Sequence, residues 1–557
     1  MKGLHTPDYI VFFIYFIVVV TYGIWVYRRK SKEKHSASKE YFLAEGTLTW
    51  WAIGASLIAS NISAEQFIGM SGSGFKMGLA IATYEWMAAA TLIIVAVFFI
   101  PIYLKNKIYT MPQFLEKRYN GTVAMIMAVF WLLLYVVVNL TSILYLGALA
   151  INSISGINIT LCMYALAVFA IFITLGGMKV IGYTDVIQVF FLVMGGLVTT
   201  YIALDMVAES NGADGMLSGF KIVREQADDH FHMIFDQSNP NYIDLPGLTV
   251  LVGGMWIVNL NYWGCNQYIT QRALGADLPT ARNGILFAAF LKLMMPIIVV
   301  LPGIAAYLLY KQNVFQTEMF QDNELNPDRA YPVLLNLLPT GLKGLSFAAL
   351  TAAVVASLAG KANSIATIFT LDIYKKHLTK TASENNQVLV GRITVVVAMI
   401  LAVIIAPLLG IDKKGGFQYI QEYTGFVSPG IFAMFILGFF WKKTTPNAAL
   451  FATVGGFALS LVLKFLPRFA DLSFLSSTGF SIAGTNGVYE IPFLDRMGFV
   501  FIFCILGMVI ISLIDNSRGI KPNGLEVDSS MFKTHAGFTV GAILILGIIA
   551  ALYTIFW

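Results

Sequence analysis

Residues 61–75 read NISAEQFIGMSGSGF, and this polar stretch lies between two strongly apolar segments of the chain. WWAIGASLIAS precedes it and GLAIATYEWMAAATLIIVAVFFI follows it. Irregular, polar backbone is tolerated inside a bilayer only where it lines a cavity or is buried in protein, because each unsatisfied group there costs several kcal/mol. We therefore interpret the stretch as a break in a membrane-spanning helix, beside a binding site.

The composition is that of a membrane protein with many spans. Of the 557 residues, 57% are hydrophobic and 12% are charged, and the mean hydropathy is +0.74, whereas soluble domains carry about 25% charged residues. The net charge of +5 does not indicate a nucleic-acid partner, since the basic residues of membrane proteins cluster in cytoplasmic loops. The three cysteines lie in apolar segments and predict no disulfide framework. We expect no cofactor.

Fourteen apolar stretches are long enough to cross a hydrocarbon core of about 30 Å as helices. Lys and Arg are concentrated in alternate loops, which predicts that both termini lie outside. The chain leaves no room for a soluble catalytic domain, which argues against an enzyme. The predicted spans are 8–27, 48–74, 79–104, 122–152, 158–176, 182–208, 247–270, 284–310, 344–371, 388–409, 417–441, 447–466, 496–515 and 537–556.

A second polar interruption lies five spans after the first. It reads GGMWIVNLNYWGCNQYITQR and covers residues 253–272. Paired interruptions at matching positions of two halves indicate an inverted-repeat transporter with its site at the bilayer midplane. The sequence therefore predicts an all-α polytopic fold with this division: an N-terminal helix and basic cytoplasmic loop (1–47), a first five-helix repeat (48–208), an extracellular loop (209–246), a second repeat (247–441) and accessory helices (442–557).

Charged residues inside predicted spans each require an explanation, because their insertion costs about 2.5–3.5 kcal/mol. Lys292 lies near the middle of its span, where a functional role is favoured over a structural one. Glu85 lies near the outer end of its span, so a carboxylate at the headgroup boundary is an alternative. Asp185 fits a helix N-terminal acid and a functional residue equally well.

These charges, together with neighbouring amides, suit a ligand that is dense in hydroxyl groups. A carboxylate accepts hydrogen bonds and an ammonium donates them, whereas a sugar hydroxyl does both. The amides in question are Gln66, Asn259 and Gln421. Tyr262 and Trp263 offer flat rings that would cover a sugar face, with an aromatic belt at the membrane interface as the alternative.

Several of these stretches together are similar to a known family. The chain resembles the sodium/solute symporter family over essentially its whole length, and within it the sodium/glucose and sodium/galactose branch, bacterial sodium/galactose symporters above all. The stretches that carry the resemblance are ASLIASNISAEQFIGMSGSG, ATYEWM, YTDVIQVFFLV, NYWGCNQYITQR, FAAFLKL, NSIATIFTLDIY and FQYIQEYTGFVSPGIFAMFILGFFWKKTT.

The resemblance implies a LeuT-like core of ten helices in two inverted repeats that works by alternating access, with sodium as the coupling ion. It also implies roles for individual positions of this chain. The implied sugar contacts are Gln66, Glu85, Asn259, Lys292 and Gln421, with Asn61 nearby. The implied gate residues are Tyr262 and Trp263 on the inner side and Met70, Tyr84 and Phe417 on the outer side. The implied sodium ligands are Ala59, Ile62, Ala353 and Ser357.

Three residues depart from the family pattern. Ala88 replaces a frequent serine one turn after Glu85, so one sugar contact is missing or replaced. Ala356 replaces the first of two adjacent hydroxyl residues, which leaves the sodium shell one oxygen short unless a water completes it. Lys361 occupies a usually uncharged position. One hypothesis pairs Lys361 with Asp185, where it fills a secondary ion site; the other has it extend inward to cytoplasmic water.

The sequence therefore predicts sodium-coupled uptake of a monosaccharide, one sodium per sugar, in a bacterial inner membrane. Lipid surrounds the protein, and a second copy is a candidate partner in a homodimer. The alternatives are a symporter of another solute (a polyol, sialic acid or proline), a proton-coupled or uncoupled carrier in which Lys361 replaces an ion, and a non-transporting sugar sensor. The sequence assigns no role to Glu65.

Overall fold

The protein is almost entirely helical, as its apolar runs predict, because a helix satisfies all backbone groups within one segment. The computed structural model describes residues 4–28, 48–63, 65–321, 324–408, 416–484 and 487–557. Most of the predicted basic loop after the first span lies outside the described residues.

The α-helices are numbered here in chain order. They are α1 Thr6–Arg28, α2 Trp50–Asn61, α3 Ser71–Met77, α4 Thr83–Ile94, α5 Ile100–Lys105, α6 Met111–Arg118, α7 Gly121–Leu133, α8 Thr141–Ser155, α9 Ile159–Thr174, α10 Gly177–Ser210, α11 Met216–Gln226, α12 Leu248–Val252, α13 Gly254–Gly264, α14 Gln267–Leu274, α15 Leu278–Lys311, α16 Ala330–Leu337, α17 Leu342–Thr367, α18 Glu384–Ile405, α19 Gly416–Gly425, α20 Ser428–Phe440, α21 Pro446–Leu450, α22 Gly456–Phe465, α23 Phe493–Ser517 and α24 Ala536–Ile555.

Shorter elements join several of these helices. The π-helical turns are Glu65–Met70, Val95–Phe99, Leu134–Leu140, Ile368–Leu378 and Phe451–Gly455. The 3₁₀ turns are Gly78–Ala82, Asp228–His230, Thr317–Met319, Pro327–Arg329, Ala406–Leu408, Leu466–Arg468, Ser473–Thr478 and Ser529–Phe532. Two antiparallel pairs of short strands occur, β1 Phe320–Gln321 with β2 Glu324–Leu325, and β3 Ile482–Ala483 with β4 Tyr489–Glu490.

Ten helical segments in the described part of the chain are long and apolar enough to cross a membrane. Two shorter apolar helices, α9 and α20, coincide with predicted spans. The chain is thus a multi-pass integral membrane protein, as the composition predicts.

The two predicted helix breaks are confirmed. Helix α2 ends at Asn61, where the Ser63 amide donates to Gln66 Oε1 at 3.1 Å. That amide is therefore turned away from the helical hydrogen-bond ladder, and the Ala59 carbonyl loses its usual donor. In the second interruption, α13 ends at Gly264 and α14 begins at Gln267.

The SGSG run lets the second half of the first broken helix approach α15 closely. A Cβ at Gly74 would lie 2.7 Å from the Val300 carbonyl oxygen, and one at Gly303 would lie 2.1 Å from the Ser71 carbonyl oxygen. Both distances are below ordinary van der Waals contact, so only glycine allows the two backbones to meet. Helix α15 also packs against α2 and α4 and so supports both sides of the break.

We expect Gly303→Ala to destabilise the protein by at least about 1–3 kcal/mol, because the added methyl group overpacks this contact. Thermal unfolding in detergent would measure the loss. Gly498→Ala is the matched control, since a Cβ at Gly498 meets no atom within 4 Å. Equal stability of the two variants would contradict the close approach of α3 and α15.

The loop over 209–246 is more structured than a plain polar connection. It contains α11, and its buried side chains Phe231, Met233 and Phe235 join the hydrophobic core. The Met233 amide donates to the Phe556 carbonyl at 2.8 Å, which fastens the loop to the C-terminal helix. The apolar residues within an otherwise polar stretch account for this packing.

Candidate functional site

Lys292 is the centre of a buried polar cluster between the first broken helix and α15. Its ammonium lies 2.6 Å from Glu85 Oε2 and also donates to Asn61 Oδ1. The relative exposure of Lys292 is 1% and that of Glu85 is 2%. The alternative that places Glu85 at the lipid headgroups is therefore wrong, because this carboxylate is buried and ion-paired.

The second broken helix completes the cluster. Asn61 Nδ2 donates to the Tyr262 hydroxyl at 3.1 Å, so the two ends of one amide connect Lys292 to Tyr262. The Lys292 ammonium also lies 5.2 Å from the ring centroid of Trp263, within cation–π range. Asn61 is the last residue of α2. The break thus brings the carboxylate, ammonium, amide and phenol to one place.

Three predicted sugar contacts are not hydrogen-bonded to this cluster. Gln66 Oε1 accepts the Ser63 amide, and Asn259 Nδ2 donates to the Met255 carbonyl of its own helix at 3.2 Å. Gln421 lies on α19, which packs against the π-helical turn that contains Gln66. Gln66 and the helix of Gln421 thus lie at the first break, and the contact of all three residues with a sugar stays a prediction.

The predicted gate residues pack as aromatic layers. The rings of Tyr84 and Phe417 meet edge to face at 4.9 Å between centroids, and Met70 is fully buried. Gly69 allows the Phe417 backbone to approach, because a Cβ there would lie 2.9 Å from the Phe417 nitrogen. Tyr262 packs edge to face on Trp263 at 5.1 Å.

The predicted sodium ligands lie on two helices that the structure brings together. Ser357 Oγ on α17 donates to the Ser60 carbonyl at 3.0 Å, at the end of α2. Ala353 lies one turn before Ser357 on the same helix, and it is buried. Carbonyl and hydroxyl oxygens are thus concentrated at the break, and Ala356, also buried, adds no side-chain oxygen.

Asp185 pairs with Arg272, and the predicted Asp185–Lys361 pair is wrong. Arg272 Nη2 lies 3.9 Å from Asp185 Oδ2, and both side chains are fully buried. Ser56 Oγ bridges the two residues: it donates to Asp185 Oδ2 at 2.6 Å and accepts from Arg272 Nε at 2.9 Å. Asp185 also lies well inside α10, so the alternative of a helix N-terminal acid is wrong too.

Lys361 does not extend to cytoplasmic water. Its relative exposure is 3%, and its ammonium lies 4.3 Å from the ring centroid of Tyr268. Two charged residues are near it, Glu65 of opposite sign and Arg272 of the same sign. Asp185 is already engaged by Arg272, which explains why it does not pair with Lys361.

Sequence reasoning missed Arg272 and Tyr268 as members of this region. Arg272 stands at the end of the quoted stretch NYWGCNQYITQR, just beyond the predicted span 247–270, but the structure buries it within α14. Tyr268 lies six residues after Tyr262, and their hydroxyls are 3.3 Å apart. The one sequence signal was their place in the second polar interruption.

Known proteins are similar to this chain in sequence. The model of the sodium:solute symporter family matches residues 41–456. A sodium/glucose cotransporter of Vibrio parahaemolyticus is 48% identical over 563 residues, covering 100% of this chain and 99% of that protein. A human sodium/myo-inositol cotransporter 2 is 35% identical, over 83% of this chain and 70% of that protein.

Solved transporter structures share the fold. A Na⁺-coupled sialic acid symporter in a substrate-bound outward-open state superposes with a TM-score of 0.75 at 22% identity, covering 92% of this chain and 98% of that one. Mhp1, a transporter of the nucleobase-cation-symport-1 family, superposes with a TM-score of 0.51 at 13% identity, covering 87% and 97%.

Proposed function

Because this chain belongs to the sodium:solute symporter family, we propose that it takes up a monosaccharide of the galactose or glucose type, driven by the sodium gradient. A member of this family is a transporter and not an enzyme. Its full-length similarity to a sodium/glucose cotransporter supports a sugar as the solute.

The observation that carries the proposal is the cluster of the buried Lys292 and Glu85 with the half-buried Asn61. An ion pair out of water is costly unless its remaining hydrogen-bonding positions are satisfied. A sugar hydroxyl that donates to the carboxylate and accepts from the ammonium would satisfy them. The aromatic rings of Tyr262 and Trp263 adjoin the cluster and would cover an apolar sugar face.

We assign the neighbouring residues to the same cycle. Gln66, Asn259 and Gln421 would complete the sugar contacts, while Tyr262 and Trp263 would close the inner side and Met70, Tyr84 and Phe417 the outer side. These residues flank the break, and their gate rings are packed. In alternating access, the inner and the outer gate residues would open in turn.

Sodium would bind at the break, to the carbonyls of Ala59 and Ile62 and to Ala353 and Ser357. The Ala59 carbonyl has lost its usual helical donor, and Ser357 lies against the same end of α2. An ion there would hold α2 to α17 in the sugar-competent shape. One sodium per sugar supplies about 2.3 kcal/mol per 100 mV of membrane potential.

The proposed architecture completes this scheme. Fourteen spans, with two inverted five-helix repeats over 48–208 and 247–441, would place both termini outside. The remaining divisions are 1–47, the loop 209–246 and the accessory helices of 442–557. A bacterial inner membrane is the proposed location, since the 48% identical relative is bacterial. Membrane lipid, and a second copy of the chain in a homodimer, are the proposed partners.

Uptake of radiolabelled hexose into proteoliposomes tests this function. We expect accumulation with an inward sodium gradient and little when choline replaces sodium. Unchanged uptake in choline would contradict sodium coupling and favour a proton-coupled or uncoupled carrier. A panel with galactose, glucose, myo-inositol, sialic acid and proline identifies the solute: accumulation of a non-sugar alone would contradict the sugar assignment, and binding without flux would indicate a sensor.

A further inference from the structure

Four charged residues, two acidic and two basic, lie near the first break. Asp185 and Arg272 form an ion pair, at 3.9 Å, bridged by Ser56. Glu65 and Lys361 are the other two; they are near each other and of opposite charge, but no ion pair within 4.0 Å joins them in the described part of the chain. The formal charge of these four residues sums to zero before any ion binds.

Glu65 is held at the break with unused hydrogen-bonding capacity. It is the first residue of the π-helical turn, and its amide donates to Ser63 Oγ at 3.2 Å. Its carboxylate oxygen Oε1 is shielded from solvent and has no hydrogen-bond partner among the described residues. A buried carboxylate in that state is stabilised by a nearby positive charge, and Lys361 is the basic residue near it.

Lys361 lies close to the proposed sodium ligands. It follows Ser357 by four residues on α17, and side chains so spaced are about 5–6 Å apart at Cβ. The hydroxyl of Ser357 touches the Ser60 carbonyl at 3.0 Å. No acidic oxygen lies within 4.0 Å of the Lys361 ammonium among the residues that the structure describes, and the ammonium rests on the Tyr268 ring.

We propose that Lys361 is a tethered cation which, partly neutralised by Glu65, weakens sodium binding at the end of α2 and so sets the sodium concentration at which transport operates. This inference rests on the proposed function. A fixed ammonium beside a cation site repels the ion, and Glu65 offsets only part of that repulsion. Without Lys361 the charged group would carry one surplus negative charge, which sodium would neutralise.

The experiment measures the sodium concentration that gives half-maximal sugar uptake. For Lys361→Met we expect this concentration to fall about tenfold, and for Glu65→Gln we expect it to rise about tenfold. A change of about this size follows from adding or removing one unit charge a few ångströms from the ion in a medium of intermediate dielectric. The double variant K361M/E65Q should return to within about threefold of the wild type, since it removes both charges. Lys375→Met, an exposed lysine farther along the same helical run, should change nothing.

A second measurement does not depend on transport. Sodium that binds only the folded protein raises its unfolding temperature, and in detergent this rise should begin at lower sodium for K361M and for K361Q. If the Lys361 variants change neither the sodium concentration for half-maximal uptake nor the sodium concentration at which stabilisation begins, the inference is wrong. If the wild type itself shows no sodium dependence, the proposed function fails instead.

Discussion

Lys292→Met is expected to reduce sugar uptake at least about 100-fold. The substitution removes the donor that faces both Glu85 and Asn61, and it leaves a buried carboxylate without its partner, which costs about 3–5 kcal/mol. Glu85→Gln should have a comparable effect, since it removes the negative acceptor. Initial rates of labelled hexose uptake, normalised to the protein inserted into liposomes, measure both.

The double variant K292M/E85Q distinguishes a binding role from a structural one. Removing both charges relieves the unpaired charge, so folding and thermal stability should recover towards the wild type. Uptake should stay abolished if the two side chains contact the sugar. Restored uptake in the double variant would show that the pair only stabilises the bundle, and the sugar site would then have to lie elsewhere.

Arg272→Met should be the most destabilising single change outside the cluster of Lys292, Glu85 and Asn61. Arg272 and Asp185 are buried together, and loss of the guanidinium leaves the Asp185 carboxylate with the Ser56 hydroxyl alone. Breaking one partner of a buried pair costs about 3–5 kcal/mol. Thermal unfolding in detergent, or the fraction of monodisperse protein after purification, would measure the loss.

Two comparisons make this second prediction specific. The double variant R272M/D185N should regain much of the lost stability, because no unpaired buried charge remains. Lys221→Ala removes one partner of an exposed pair in the loop before α12, 3.8 Å from Glu225, and should cost less than about 1 kcal/mol. Equal losses for R272M and K221A would mean that the Asp185–Arg272 pair contributes nothing beyond a surface ion pair.

The sequence by itself determined the membrane class, the multi-pass helical architecture and both helix breaks. These properties depend on the cost of placing each residue type in lipid, which is a local quantity. Amides and glycines at 61–75 and 253–272 therefore marked the breaks without any knowledge of neighbours. The charged residues within the spans marked Lys292 and Glu85, the family resemblance added Asn61, and the structure brings the three together.

Only the tertiary structure decided which charges meet. Asp185 and Ser56 are separated by 129 positions and Arg272 and Ser56 by 216. Arg272, near a predicted span end, looked like a loop residue, and Lys361 looked free to pair with Asp185. The energy of a charge pair changes steeply with distance, and that distance depends on how α2, α10, α14 and α17 pack against one another. Residue type fixes the sign of each charge, but the packing of distant helices selects its partner.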